Sequence, residues 1–96
     1  MEIKKIRGKI DAIDREILAL ISRRHSLLDD VLKYKIDNNL PILDEKREQE
    51  ILKDKIEKSL ASGINPDFAE AMFQIILKES RRIQQEKHKR LKSGKR

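Results

Sequence analysis

The chain has no cysteine and no tryptophan, only two prolines and three glycines, and aromatic residues make up just 3% of its 96 positions. Without cysteine, neither a disulfide framework nor a thiolate metal site can form. No apolar run approaches the roughly 20 residues of a membrane span. The opening MEIKKIRGKI lacks the continuous apolar block of a signal peptide. A soluble, cytoplasmic chain of one domain is the expectation. No strand-like alternation and no internal repeat appears.

A charge excess on the body of the chain is also missing. The net charge is +6, but the segment KHKRLKSGKR (87–96) holds six of the 23 basic residues and no acid, leaving 17 basic against 17 acidic residues. A nucleic-acid binder is expected to carry its basic face on the folded domain. The 87–96 segment therefore reads as a solvated basic tail, and nucleic acid is disfavoured as a partner.

What is present is helical periodicity. Ile10, Ile13, Ile17, Leu20, Ile21, Leu27, Leu28 and Val31 recur at spacings of three and four. With no glycine or proline between Lys9 and Leu40, one helix is predicted from about Ile3 to about Asp37, roughly 50 Å long. DNNLP ends it. Asp44 is placed to cap a second helix, with the apolar stripe Ile51, Leu52, Ile56 and Leu60, and Gly63 fits its stop. Asn65 and Pro66 open a third. Its stripe runs Phe68, Ala69, Met72, Phe73, Ile76, Ser80, Ile83, Gln84. The fold class is all-α, one long helix and two shorter ones. With 42% charged residues, a lone copy has a thin core, so a second chain is expected to cover the long helix.

Several polar residues break these stripes. At 100° per residue the first stripe covers about 180° to 300°; Arg24 falls at about 240°, Lys35 at about 260° and Arg7 on the edge at about 340°. Unpaired buried cations cost several kcal/mol, so they must meet anions. Ser80 and Gln84 continue the third helix's stripe, and Asp44, Arg47 and Glu48 cluster at the start of the second. A single cation on an apolar face is usually a snorkelling side chain. Several cations converging with Ser, Gln and Glu point instead to a pocket for a small ligand with two carboxylates and a further polar oxygen.

In the order IRGKIDAIDREILALISRR, KYK, PILDEKRE and FQIILKESRRIQ, the chain resembles the small all-helical chorismate mutases across residues 3–86. The resemblance implies an intertwined helical homodimer that converts chorismate to prephenate in phenylalanine and tyrosine biosynthesis, without cofactor or metal. It implies that Lys35 and Gln84 act on the breaking ether oxygen. Arg24, Arg47 and Ser80 would bind carboxylate, Asp44 and Glu48 would hold the ring hydroxyl, and Arg7 would reach the partner's site. His25 and Ser26 depart from relatives without touching these positions. Two alternatives stand beside it: an isochorismate-pyruvate lyase of the same fold, and a non-enzymatic helical dimer that regulates another shikimate-pathway enzyme or binds nucleic acid. Association with an upstream or downstream enzyme of that pathway is compatible with either reading.

Overall fold

The computed structural model describes residues 2–94 and is helical throughout: α1 (Ile3–Ser26), α2 (Leu28–Asp37), α3 (Glu45–Ala61) and α4 (Pro66–Lys92). α1 and α2 form the expected long first arm, interrupted at a single residue. Leu27 keeps a right-handed conformation (φ −87°, ψ −11°), but its N–H bonds to the Arg24 carbonyl, one position short of the helical partner. The cause is local. The Ser26 hydroxyl donates to the Arg23 carbonyl at 2.6 Å, and that carbonyl is the acceptor Leu27 would otherwise use. Val31 N–H bonds to the Leu27 carbonyl at 3.2 Å, so helical bonding resumes at once.

The turns follow from side-chain chemistry. α2 ends with Asn39 in the left-handed region (φ 55°), and Leu40 N–H reaches back to the Lys35 carbonyl at 2.8 Å while Asn39 N–H bonds Ile36. α3 ends the same way at Gly63 (φ 72°), with Ile64 N–H on the Ser59 carbonyl at 2.9 Å. Both are Schellman stops, one built on Asn and one on Gly. The Asp44 carboxylate caps α3 by accepting from Arg47 N–H at 3.0 Å. Asn65 caps α4 by accepting from Phe68 N–H at 3.1 Å, with Pro66 at the first helical position.

α3 and α2 both pack on α4. The buried apolar residues are Leu28 and Leu32 of α2 with Ala69 and Leu77 of α4, a small core. α1 contributes none: it carries no buried residue, and Ile3, Ile10, Ile13, Ile17, Leu18 and Leu20 are all more than half exposed. Phe68 and Met72, placed on the third stripe from the sequence, are also exposed in the single chain. The molecule measures 57 × 31 × 16 Å with a radius of gyration of 17.1 Å, against about 12.5 Å for a compact chain of this length. Residues 87–92, read from the sequence as tail, form the last turns of α4, and Lys87 meets Asp29 of α2 at 2.8 Å. Lys95 and Arg96 of that segment lie outside the described residues. No described helix is long and apolar enough to cross a membrane.

Candidate active site

The end of α1, the length of α2, the start of α3 and the C-terminal half of α4 enclose one cavity of about 190 Å³. That volume has room for a small molecule. Its polar lining is Arg24, Lys35, Asp44, Arg47, Glu48, Ser80, Arg81 and Gln84, against apolar walls that include Leu28, Val31 and Leu77. Seven of the eight residues picked from the sequence therefore converge. The eighth, Arg7, is exposed near the start of α1, about 25 Å along the helix from Arg24.

Helix geometry aims these side chains. Ser80 and Gln84 are one turn apart on α4, and each is only 5% exposed. The Ser80 hydroxyl donates to the Ile76 carbonyl at 2.9 Å and accepts from Arg24 Nη1, which ties the end of α1 to α4. Gln84 Nε2 donates to the Ser80 carbonyl at 3.2 Å, fixing the amide so that Oε1 accepts from Lys35 Nζ, also at 3.2 Å. Lys35 Nζ further donates to the Ile42 carbonyl at 2.6 Å, in the loop between α2 and α3. An ammonium has three hydrogens and an amide nitrogen two. Lys35 and Gln84 thus each keep one hydrogen uncommitted among the described residues.

Glu48 accepts from Arg81 Nη1 across the α3–α4 interface, with both side chains largely covered. Arg47 is exposed, and its nearest carboxylate is Glu50 at 3.7 Å. Burial, and after it the nearby Arg47, push the Arg24 guanidinium below its ordinary pKa, though a guanidinium remains charged at neutral pH. Burial likewise lowers the Lys35 ammonium, while Asp44 and then Glu48 pull it back up. Four cations against two carboxylates leave an excess of two positive charges on the lining. No described cluster of His, Asp or Glu is arranged to hold a metal.

Arg81 and the Ile42 carbonyl were not among the residues singled out from the sequence. Arg81 had a legible signal: it lies four residues after Leu77 and three before Gln84, on the line Phe73–Leu77–Arg81. A backbone carbonyl such as that of Ile42 leaves no trace in side-chain patterns.

Fold and cavity together define an all-helical domain with a small, net-positive cavity between its helices. Residues 6–85 match the family described as chorismate mutase type II, and the chain belongs to that family. Among similar proteins, the chorismate mutase of Methanocaldococcus jannaschii is 35% identical over 86 residues, covering 88% of this chain and 86% of its own length. The bifunctional chorismate mutase/prephenate dehydratase of Escherichia coli K12 is 32% identical over 80 residues, and the T-protein of Haemophilus influenzae 32% over 78. These alignments cover 83% and 81% of this chain but 21% of each relative, so the chain spans about a fifth of the length of such longer proteins.

Proposed function

We infer that this chain is a chorismate mutase, catalysing the Claisen rearrangement of chorismate to prephenate in a site completed by a second copy. The observation that carries the reading is the Lys35–Gln84 pair, one spare hydrogen on each, set in a wall that also holds Arg24 and an excess of two positive charges. Chorismate brings two carboxylates, a ring hydroxyl and an enolpyruvyl ether. In the rearrangement its ether C–O bond breaks as a C–C bond forms, with no proton transfer and no external group required.

Two contributions follow from the geometry. The first is orientation. Arg24, steadied by Ser80, and Arg47 hold the carboxylates so that the enolpyruvyl arm lies over the ring, and binding supplies the entropy of that pose. The second is electrostatic. As the C–O bond stretches, negative charge grows on the ether oxygen, and the free hydrogens of Lys35 and Gln84 stabilise it more in the transition state than in the ground state. Both donors are already fixed by Ile42, Ser80 and each other, so little reorganisation is needed at the moment of reaction. Glu48 and Asp44 serve the ring hydroxyl.

A homodimer is part of the proposal. The chain exposes 8151 Å², where a compact monomer of its mass exposes about 5,700 Å². The surplus lies in the α1 arm with its exposed isoleucines and leucines. A second copy intertwined along that arm covers it and brings Arg7 to the neighbouring cavity. Prephenate then passes to a downstream enzyme of aromatic amino acid biosynthesis. The test is direct: follow the absorbance loss of chorismate and identify the product by chromatography. Prephenate is the expected product. Salicylate and pyruvate from isochorismate, or no turnover of either compound, would replace this reading with one of its rivals.

A further inference from the structure

Six of the eight ion pairs among the described residues join neighbours within one helix; only Arg81–Glu48 and Lys87–Asp29 cross between helices. Lys87–Asp29 is open to solvent, with side chains 38% and 62% exposed, whereas Arg81 and Glu48 are 27% and 21% exposed. The more covered pair also lines the cavity. Covering two charges is costly, and a pair serving only to join α3 to α4 would be cheaper on the outer surface. Its position at the cavity wall calls for another role.

We propose that Arg81 is a positioning residue for substrate recognition: it holds one oxygen of Glu48 so that the other is presented to the ring hydroxyl of the substrate. The bond from Arg81 uses Glu48 Oε1, and Oε2 has no hydrogen-bond donor among the described residues. Other charged groups of the lining would compete for that carboxylate. Lys35 approaches from α2, Arg24 from α1 and Arg47 from the same helix as Glu48, while Asp44, the cap of α3, repels it. Left unheld, a carboxylate on a wall shared with Lys35 and Arg47 can swing toward either cation and block a donor meant for the ligand. Arg81 answers this with a planar fork anchored on the far side, on α4. It also offsets the charge of Glu48, which otherwise repels an arriving dianion. This assignment rests on the chorismate mutase reading for the identity of the hydroxyl-bearing ligand, while the Arg81–Glu48 contact itself does not.

The experiment compares wild type, Arg81→Met, Arg81→Lys, Glu48→Gln and the Arg81→Met/Glu48→Gln double variant, on chorismate and on its analogue with hydrogen in place of the ring hydroxyl. A hydroxyl contact made in ground and transition states alike acts on KM. Arg81→Met should raise KM for chorismate about tenfold, the worth of one hydrogen bond to a charged group, with kcat little changed. Arg81→Lys should recover most of that loss. For the deoxy analogue, and in the Glu48→Gln background, Arg81→Met should cost almost nothing. Equal losses on both substrates, or an undiminished loss in the Glu48→Gln background, would mean that Arg81 grips a carboxylate itself, and would overturn the proposal. A lower melting temperature with unchanged KM would reduce the pair to a structural tie and overturn it too. If wild type binds chorismate without converting it, the reaction reading fails, and the same comparison made on Kd by calorimetry still decides the role of Arg81. If wild type neither binds nor converts chorismate, both readings fall.

Discussion

Lys35 of α2 and Gln84 of α4 stand 49 residues apart in the chain and are joined Nζ to Oε1 at 3.2 Å. Each is also anchored to backbone, Lys35 to the Ile42 carbonyl and Gln84 to that of Ser80. The two donors are thus a fixed pair before any ligand arrives. Removing either should cost rate more than affinity. Lys35→Ala should lower kcat by at least about two orders of magnitude, since one preorganised donor to a developing charge is worth ~3 kcal/mol. Because burial lowers the Lys35 pKa, its charged form opposes folding at neutral pH, and stability should be kept or raised. Near-wild-type kcat in a folded Lys35→Ala protein would contradict the role.

Gln84→Glu converts one donor into a group that donates only when protonated. Wild-type activity should be nearly flat from about pH 5 to 8, where no proposed ligand has its ordinary pKa. The variant should lose kcat/KM progressively as pH rises, and the Lys35 ammonium beside the new carboxyl moves that loss toward acid. A Gln84→Glu protein whose rate ignores pH from acid to neutral would remove the ether-oxygen contact from the account.

Besides its part at the ring hydroxyl, Asp44 has two duties that substitutions can separate. It caps α3 and it raises the Lys35 pKa through its charge. Asp44→Ala should lose the cap, about 1 kcal/mol in a denaturant titration, whereas Asp44→Asn should keep most of it. Losing the charge in Asp44→Asn should let Lys35 deprotonate at lower pH. The alkaline limb of kcat/KM should then begin earlier than in wild type, and an unmoved limb would show that Asp44 does not act on Lys35.

Much of this architecture is legible in the sequence because it is written in local chemistry. Asp44, Asn65 with Pro66, and Gly63 announce the helix ends that they form. Arg24, Lys35, Ser80 and Gln84 stand out as polar residues on apolar stripes, and they meet at one cavity where the end of α1 and the stripe of α2 face α4. The interruption at Leu27 was not legible, since it depends on the Ser26 hydroxyl winning the Arg23 carbonyl from the backbone. Arg81 lies off the stripe through Ile76 and Ser80, on the adjoining line through Leu77 that the cavity also takes. Phe68 and Met72 keep their periodicity yet remain exposed in the single chain.

Asp54 offers a test of surface electrostatics on α3. Its carboxylate accepts from Lys55 at 2.8 Å and from Lys58, and the Lys55 bond, then that of Lys58, holds its pKa down to about 2 from an ordinary 3.8. A depressed carboxylate stabilises the fold above its unfolded pKa, and the benefit fades as pH falls through the folded value. Asp54→Asn should therefore lower the urea midpoint slightly at pH 7, by the small amount typical of exposed pairs. The difference should close as pH falls from about 4 to about 2. A gap that persisted at the acid end would assign the effect to packing and not to charge.

The central claim is that each cavity with Arg24 works only with Arg7 from a second copy. Arg7→Ala and Arg24→Ala homodimers should each be nearly inactive, having lost one cation in both sites. Unfolded together and refolded as a mixture, about half the dimers should be mixed under two-fold pairing. In a mixed dimer one site lacks both arginines, and the other takes Arg7 from one chain and Arg24 from the other and is intact. The measurement is chorismate turnover by that mixture, with mass spectrometry to count mixed dimers. The account predicts recovery of roughly a quarter of wild-type activity per chain when sites act independently. A mixture as inactive as its parents, with mixed dimers present, would contradict it.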